Sequence, residues 1–409
     1  MLKRHWAFFL SCLFAFTAGH IVNYSVIMYA QEMLHSDLLA GIGFGLCFGP
    51  PLILGWYAGV LCDRKSAANI IHFAQGAFVL AALVLWAGHS GVAAGAHLPP
   101  GAPLLAGAFL AGVGWSFAAP ARMTVLGQIM TPSELKPASL IFNLLVMMGF
   151  GLGPIVISAC RTASGWPAAF GAAGTLATVA SLLLLRINAH PTPKPPRSVL
   201  ADVAEGFAAA RANPLLAQLL VAAIFGYMLM GPIQVLLPKL ARTELGLTEL
   251  QRGAFLGTLA PSLIFGGLLC LAIAARVSNG KTIFAASGLA GLLFALLGNT
   301  HRADLAVVLL ACIGTVGGVA VSLIVAGIQA NVAESVRGRV NSMYTIISQV
   351  LPAASGVAGG LLAHRYGVRQ AAMLWGGFLL VAAVVNAGWM GSLRRYRGDE
   401  KGTGELASR

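Results

Sequence analysis

Residues 6–30 read WAFFLSCLFAFTAGHIVNYSVIMYA, twenty-five positions without one Asp, Glu, Lys or Arg. As a helix this stretch rises about 1.5 Å per residue, roughly 37 Å in all. A bilayer's hydrocarbon core is about 30 Å thick, and about 20 apolar residues cross it. The stretch is therefore a membrane span. Met1-Leu-Lys-Arg precedes it, but the apolar run is too long for a signal-peptide core and lacks a small-residue cleavage site. It is expected to stay in the protein.

The same pattern recurs along the chain. Apolar runs lie near 38–61, 67–88, 102–128, 138–160, 166–186, 214–238, 250–275, 281–299, 303–330, 340–363 and 368–391. With the first, that makes twelve expected spans. The runs near 102–128 and 303–330 are long enough to extend past the bilayer. Composition agrees: 58% of the 409 residues are apolar and 10% charged, with a mean hydropathy of +0.82. A soluble domain carries about 25% charged residues, so this surface faces lipid rather than water. Fifty glycines suit close packing of membrane helices. The cysteines (Cys12, Cys47, Cys62, Cys160, Cys270 and Cys312) have neither metal-ligand spacing nor a disulfide pattern, and read as small apolar fillers. No metal or other cofactor is expected.

The charge distribution orients the spans. With the amino terminus in the cytosol, the inner segments hold Lys3, Arg4, Arg64, Lys65, Lys136, Arg186, Lys194, Arg197, Arg211, Arg276, Lys281, Arg337, Arg339, Arg394, Arg395, Arg397, Lys401 and Arg409. The outer segments hold only Arg161, Lys239, Arg242, Arg252, Arg302, Arg365 and Arg369. This is the positive-inside bias. It accounts for the net charge of +13 without nucleic acid as a partner. Both termini are expected in the cytosol of a bacterial inner membrane.

The longest hydrophilic segment, 187–213, opens with a proline-rich stretch that forbids a continuous helix. Residues 199–212 suit a short amphipathic helix on the membrane surface. Six spans precede this segment and six follow. The halves resemble each other at an offset of 202 residues. That offset sets Gly165-Trp166-Pro167 opposite Gly367-Val368-Arg369, and Gly153-Pro154 opposite Ser355-Gly356. The expected organisation is a six-helix bundle over 1–186, a cytosolic linker over 187–213, a second bundle over 214–391 and a disordered tail over 392–409.

Gly59-Val60-Leu61-Cys62-Asp63-Arg64 resembles the G-x-L-x-D-R signature of the major facilitator superfamily. That family's pattern continues with Gly and two basic residues, where this chain has Ser66, Ala67 and Ala68. A degenerate copy in the second half has Arg276 near the place of the acid. Tyr29-Ala30-Gln31, Ser36 to Gly41, Pro120-Ala121-Arg122, Thr131 to Glu134 and Val336 to Tyr344 resemble the siderophore-exporter and macrolide-efflux branch. The resemblance implies an all-α integral membrane protein of twelve helices in two pseudo-symmetric six-helix bundles. It implies a cytosolic gate at Gly59, Asp63 and Arg64. Arg122, near the cytosolic end of its span, would either pair with Asp63 or Glu134 at that gate or snorkel to the surface.

A transporter of this plan binds its solute near the midplane, between the halves. Polar residues in mid-span are costly elsewhere and mark the candidates. They are Thr17, His20, Asn23 and Tyr24 in the first span, Trp115 and Ser116 in the fourth, and Asn143 in the fifth. Tyr227 and Gln234, flanking Met228 and Met230, stand in the seventh. Ser322, Tyr344, Ser348 and Gln349 follow in the tenth and eleventh. Ser, Thr, Asn and Gln also join membrane helices to one another, so packing competes with ligand contact at each position. His20 and Asn23, three apart on one helix face, are the leading pair.

No acid falls at the centre of a span. Protons, the expected coupling ion, therefore have His20, deep in the first span, and Glu32, at its outer end, as candidate sites. No nucleotide loop, metal cluster or nucleophile constellation is present, so a gradient drives the work and the chain is no enzyme. The favoured reading is a monomeric, proton-coupled exporter of a bulky amphipathic solute, a siderophore by analogy. Multidrug or macrolide efflux stays open, as does a non-transporting sensor on the same scaffold.

Overall fold

The computed structural model describes residues 1–91, 99–185, 187, 199–273, 278–332 and 337–398; the side chains of 56, 59, 60, 63, 64, 199–203, 205, 206, 337, 338, 341 and 342 lie outside that description. The described elements are helices, because a helix satisfies its own backbone where no water reaches. In chain order they are α1 (Trp6–Glu32), α2 (Asp37–Phe48), α3 (Pro50–Arg64), α4 (Ala67–His89), α5 (Ala102–Ile129), α6 (Pro132–Leu184), α7 (Val199–Ala212) and α8 (Pro214–Tyr227). Then follow α9 (Met230–Thr243), α10 (Glu249–Gly257), α11 (Leu259–Ile273), α12 (Asn279–Asn299), α13 (Ala303–Ala330), α14 (Arg337–Tyr366), α15 (Val368–Trp389) and α16 (Gly391–Arg395).

Among the described residues, 11 helical runs are long and apolar enough to cross a membrane. The expected twelve differs from this at α6. Its 53 residues would measure roughly 80 Å if straight, more than twice the hydrocarbon core. The backbone leaves the helical region at Ser164 and Gly165, where φ is −151° and +72°. Both ends of α6 return to one face of the molecule. Glu134, near its start, bonds Arg4, and the Ala180 carbonyl, near its end, accepts from Ser11 Oγ at 2.6 Å.

Other spans are interrupted where the chain supplies a reason. Gly49-Pro50-Pro51 separates α2 from α3, since proline has no N–H to donate. Between α8 and α9 the Met228 carbonyl accepts from Trp375 Nε1 at 3.1 Å. A partner from another helix thus satisfies a group the break would orphan.

Packing follows the order of the chain. Helix α1 lies on α6 and α4 on α5; beyond the linker, α12 lies on α15 and α11 on α13. The largest crossings between the first set and the second are α2 on α14 and α6 on α10. Glycine makes both possible. A Cβ on Gly41 would stand 2.9 Å from the Gly356 carbonyl oxygen, and one on Gly257 3.0 Å from that of Gly151. The repeat offset also has a structural counterpart: Gly165 and Gly367 both take positive φ, at 72° and 82°.

Residues 392–398, expected within a disordered tail, are instead folded. Leu393 is fully buried and Tyr396 nearly so. Leu393 N–H donates to Gln218 Oε1 at 2.7 Å, and the Tyr396 carbonyl accepts from Gly280 N–H at 3.0 Å. These two residues carry enough apolar surface to cap the bundle end, which charge counting along the tail hides. The stretch 199–212, expected as a helix, is α7; it packs on α14 and α8.

Candidate functional site

Charged side chains close one face of the helix interface. Glu32 ends α1, Arg161 lies in α6, and Glu249 and Arg252 occupy the first turn of α10. Arg161 forms an ion pair with Glu32 through Nη2 and reaches Glu249 Oε1 with Nη1 at 2.9 Å. Arg252 bonds Glu32 Oε1 at 2.6 Å and also pairs with Glu249. Two acids and two bases thus neutralise one another across the two sets of helices. Their side chains are 6–20% exposed, and charges that deep persist only when paired. The start of α10 is fixed by a capping box between Thr248 and Gln251.

Two more links lie beside this quartet. Lys239 Nζ of α9 bonds Asp37 Oδ2 at 2.5 Å, and Asp37 also suits the positive amino end of α2. Gln31 Nε2 donates to the Val235 carbonyl at 2.8 Å. This face is remote from the described chain ends. Helix α1 starts at Trp6 and only ends here, whereas α15 starts near here, with Arg369 Nε 3.9 Å from Glu244, and runs away to Trp389.

The Asp37–Lys239 pair gives a direct test of closure. Asp37→Lys alone sets two ammonium groups together and is expected to lower transport at least tenfold. Adding Lys239→Asp restores the pair and returns transport to within about threefold, as a double-mutant cycle on a true pair requires. Solute uptake in proteoliposomes by Asp37→Lys, Lys239→Asp and the double variant measures this.

Beneath the charges lies a polar and aromatic cluster. Trp115 of α5 donates its Nε1 hydrogen to Asn23 Oδ1 at 3.2 Å. Its ring centroid stands 4.9 Å from that of His20, and Phe150 covers His20 from the other side at 5.2 Å. The Cβ of His20 presses on Gly153, where an added Cβ would stand 2.8 Å away. His20 and Asn23 are buried, and among the described residues their Nδ1 and Nδ2 atoms have no hydrogen-bond partner. Tyr24 lies against Phe150. Thr17 turns back to its own helix, donating to the Leu13 carbonyl at 2.8 Å. Ser116 does the same to Gly112.

The remaining candidates do not all join this cluster. Tyr227 and Tyr344 bond through their hydroxyls at 2.6 Å, and Tyr227 lines an apolar cavity with Phe225, Met230 and Ile313. Gln234 is buried, with Oε1 unpartnered among the described residues. Asn143 is exposed, Gln349 is half-buried and Ser348 bonds its own helix at Thr345. Gly59, Asp63 and Arg64 lie on α3 with their side chains outside the described residues, and Arg276 lies outside them altogether.

Arg122 is fully buried, so it does not snorkel. Its Nη1 donates to Ser11 Oγ at 3.1 Å and lies 3.5 Å from Cys12 Sγ. Glu134, one expected partner, pairs instead with Arg4 at 2.6 Å and with the amino terminus at 3.9 Å. Among the described residues, no group of three or more His, Cys, Asp or Glu converges as a metal site.

In the sequence, Arg161, Lys239 and Arg252 stand out only as basic residues of the segments that the positive-inside bias leaves poor in charge. That was the available signal. Five of the seven such residues have a carboxylate partner: these three, Arg302 with Asp304 and Arg369 with Glu244. Positive charge placed against the topological bias marks ion pairs here.

Comparison with known proteins adds a family. The model described as Major Facilitator Superfamily matches residues 6–356. Similar curated proteins include "Enterobactin exporter EntS" of Escherichia coli O1:K1 / APEC and of Shigella boydii serotype 4 (strain Sb227). Each is 28% identical over 97% of this chain and 95% of its own. Among solved structures, a POT family transporter in complex with 5-aminolevulinic acid superposes with a TM-score of 0.77 at 11% identity, covering 96% of both chains. A bacterial homolog to the human lysosomal transporter Spinster does so at 0.72 and 14% identity, again over 96% of both.

Proposed function

This chain belongs to the major facilitator superfamily and is a membrane transporter, and we propose that it exports a siderophore by proton-coupled alternating access. The observation that carries the solute class is the likeness to enterobactin exporters along 97% of the chain. The geometry supports the mechanism: a ring of paired charges closes one face, and His20, Asn23 and Trp115 form a polar cluster beneath it. Opening that face separates the pairs, and closing it restores them.

In this reading the two arms of α6 are two spans, which makes twelve. Residues 1–186 and 214–391 are the two bundles and 187–213 links them. Both termini lie in the cytosol, so the closed face is the outer one. The protein works as a monomer in the bacterial inner membrane, with protons as the coupling ion and no nucleic acid partner. The aromatic and amide character of this cluster suits a large solute with both rings and hydrogen-bonding groups.

Everted membrane vesicles test the proposal with enterobactin as the first solute. Respiration is expected to drive its accumulation, and a protonophore to abolish it. His20→Gln keeps hydrogen bonding but cannot titrate, and is expected to cut proton-driven uptake at least tenfold. Unchanged uptake by that variant removes His20 from coupling and leaves Glu32. Absence of uptake by the unmodified protein removes the siderophore and leaves drug efflux, tested in the same vesicles with a macrolide.

A further inference from the structure

The Gly165-Trp166-Pro167 turn has a feature that turn geometry does not explain. Gly165 supplies the positive φ, and Pro167 opens the returning arm with its missing N–H at no loss. Trp166 comes back over the arm it has left. Its ring faces the Arg161 guanidinium, with Cζ 3.9 Å from the ring centroid. Only 6% of Trp166 is exposed. Tyr29 meets the ring edge-on at 5.1 Å, Phe170 stacks at 5.7 Å, and the Tyr29 hydroxyl is held by His89 Nδ1 at 3.3 Å. The indole is thus held by aromatic rings of α1 and of its own helix α6 as well as by the arginine.

The equivalent turn at Gly367 has the same positive φ but Val368 in the place of the tryptophan. The turn therefore forms without a ring. The ring correlates with the task of Arg161, which is to reach Glu32 and Glu249 together. A guanidinium is planar and stacks on an aromatic face while its edge still donates. Stacking of this kind strengthens as the cation is desolvated.

We propose that Trp166 is the positioning residue of the charge lock: its indole face holds the Arg161 guanidinium in the plane that bridges Glu32 and Glu249. This rests on the alternating-access reading, in which the lock opens and closes. It does not depend on which solute is carried.

The test measures closure rather than transport. Spin labels are placed at Met33 and Leu250, which are exposed and adjoin Glu32 of α1 and Glu249 of α10, with the native cysteines changed to alanine. Pulsed electron resonance then gives the distance distribution in nanodiscs without solute. Trp166→Leu keeps apolar bulk and removes the π face; it is expected to raise the open-to-closed ratio about tenfold. Trp166→Phe keeps a π face and is expected to stay within about threefold of the unmodified protein. Arg161→Ala serves as the fully unlocked reference. If Trp166→Leu matches the unmodified distribution while Arg161→Ala shifts it, the positioning role is overturned and alternating access stands. If Trp166→Phe opens the lock as far as Trp166→Leu, shape rather than the π face is responsible and the proposal fails. If Arg161→Ala also leaves the distance fixed, both readings fall together.

Discussion

Arg161→Ala is expected to open the closed face and to lower export about a hundredfold. The substitution leaves Glu32 and Glu249 sharing Arg252 alone. Removing one partner from a buried ion pair costs about 3–5 kcal/mol, because the other charge stays buried without compensation. The lock is 6–20% exposed, so solvent screens part of this and the low end applies. About 3 kcal/mol is roughly a hundredfold in the ratio of closed to open protein. Arg161→Lys is expected to recover only part, since an ammonium cannot fork between two carboxylates. Export assayed in vesicles, alongside the label distances described above, checks both variants. Export within threefold of the unmodified protein in Arg161→Ala counts against the lock.

The second large effect has two parts of opposite sign. Arg122→Met is expected to raise thermal stability while abolishing export. Arg122 is fully buried, and among the described residues its Nε and Nη2 have no hydrogen-bond partner. Its other contacts are a hydroxyl, a thiol and the Phe16 ring 5.9 Å away. Among the described residues, none of its partners is a carboxylate. Replacing poorly compensated buried charge with an apolar side chain of similar length commonly gains about 1–4 kcal/mol, which is a few degrees in Tm. A membrane protein that keeps such a residue keeps it for function. Melting followed by tryptophan fluorescence in detergent, run beside vesicle export, reads both. A lower Tm with normal export makes Arg122 a structural residue only.

The sequence made the membrane class legible because lipid imposes it residue by residue. A span must be apolar for about 20 positions, and its ends must change polarity. Gly165 was also legible as the landmark between two spans, since glycine acts on the backbone locally, whereas the run 38–61 is expected as one span and its break at Gly49-Pro50-Pro51 emerges only in the structure. Within the candidate site, His20 and Asn23 share a face because they are three apart, and the structure does bring both to Trp115. The charge lock was not readable. Glu32 and Arg252 are 220 residues apart, and a charge at a span end serves equally as an orientation signal. Which of those charges meet depends on how α1, α6 and α10 converge. The same holds for Leu393 and Tyr396, whose burial depends on the ends of α8 and α12 being close by. Arg122 was placed on the right helix, but its depth depends on α1 lying over it.

Siderophore export itself is tested most directly in the cell. A strain lacking this gene and its parent are grown under iron starvation, and secreted and intracellular siderophore are measured in each. The expected result is a severalfold fall in the medium with a matching rise inside the deletion strain, restored by the unmodified protein and not by Arg161→Ala. Equal secretion by deletion strain and parent would contradict the siderophore assignment.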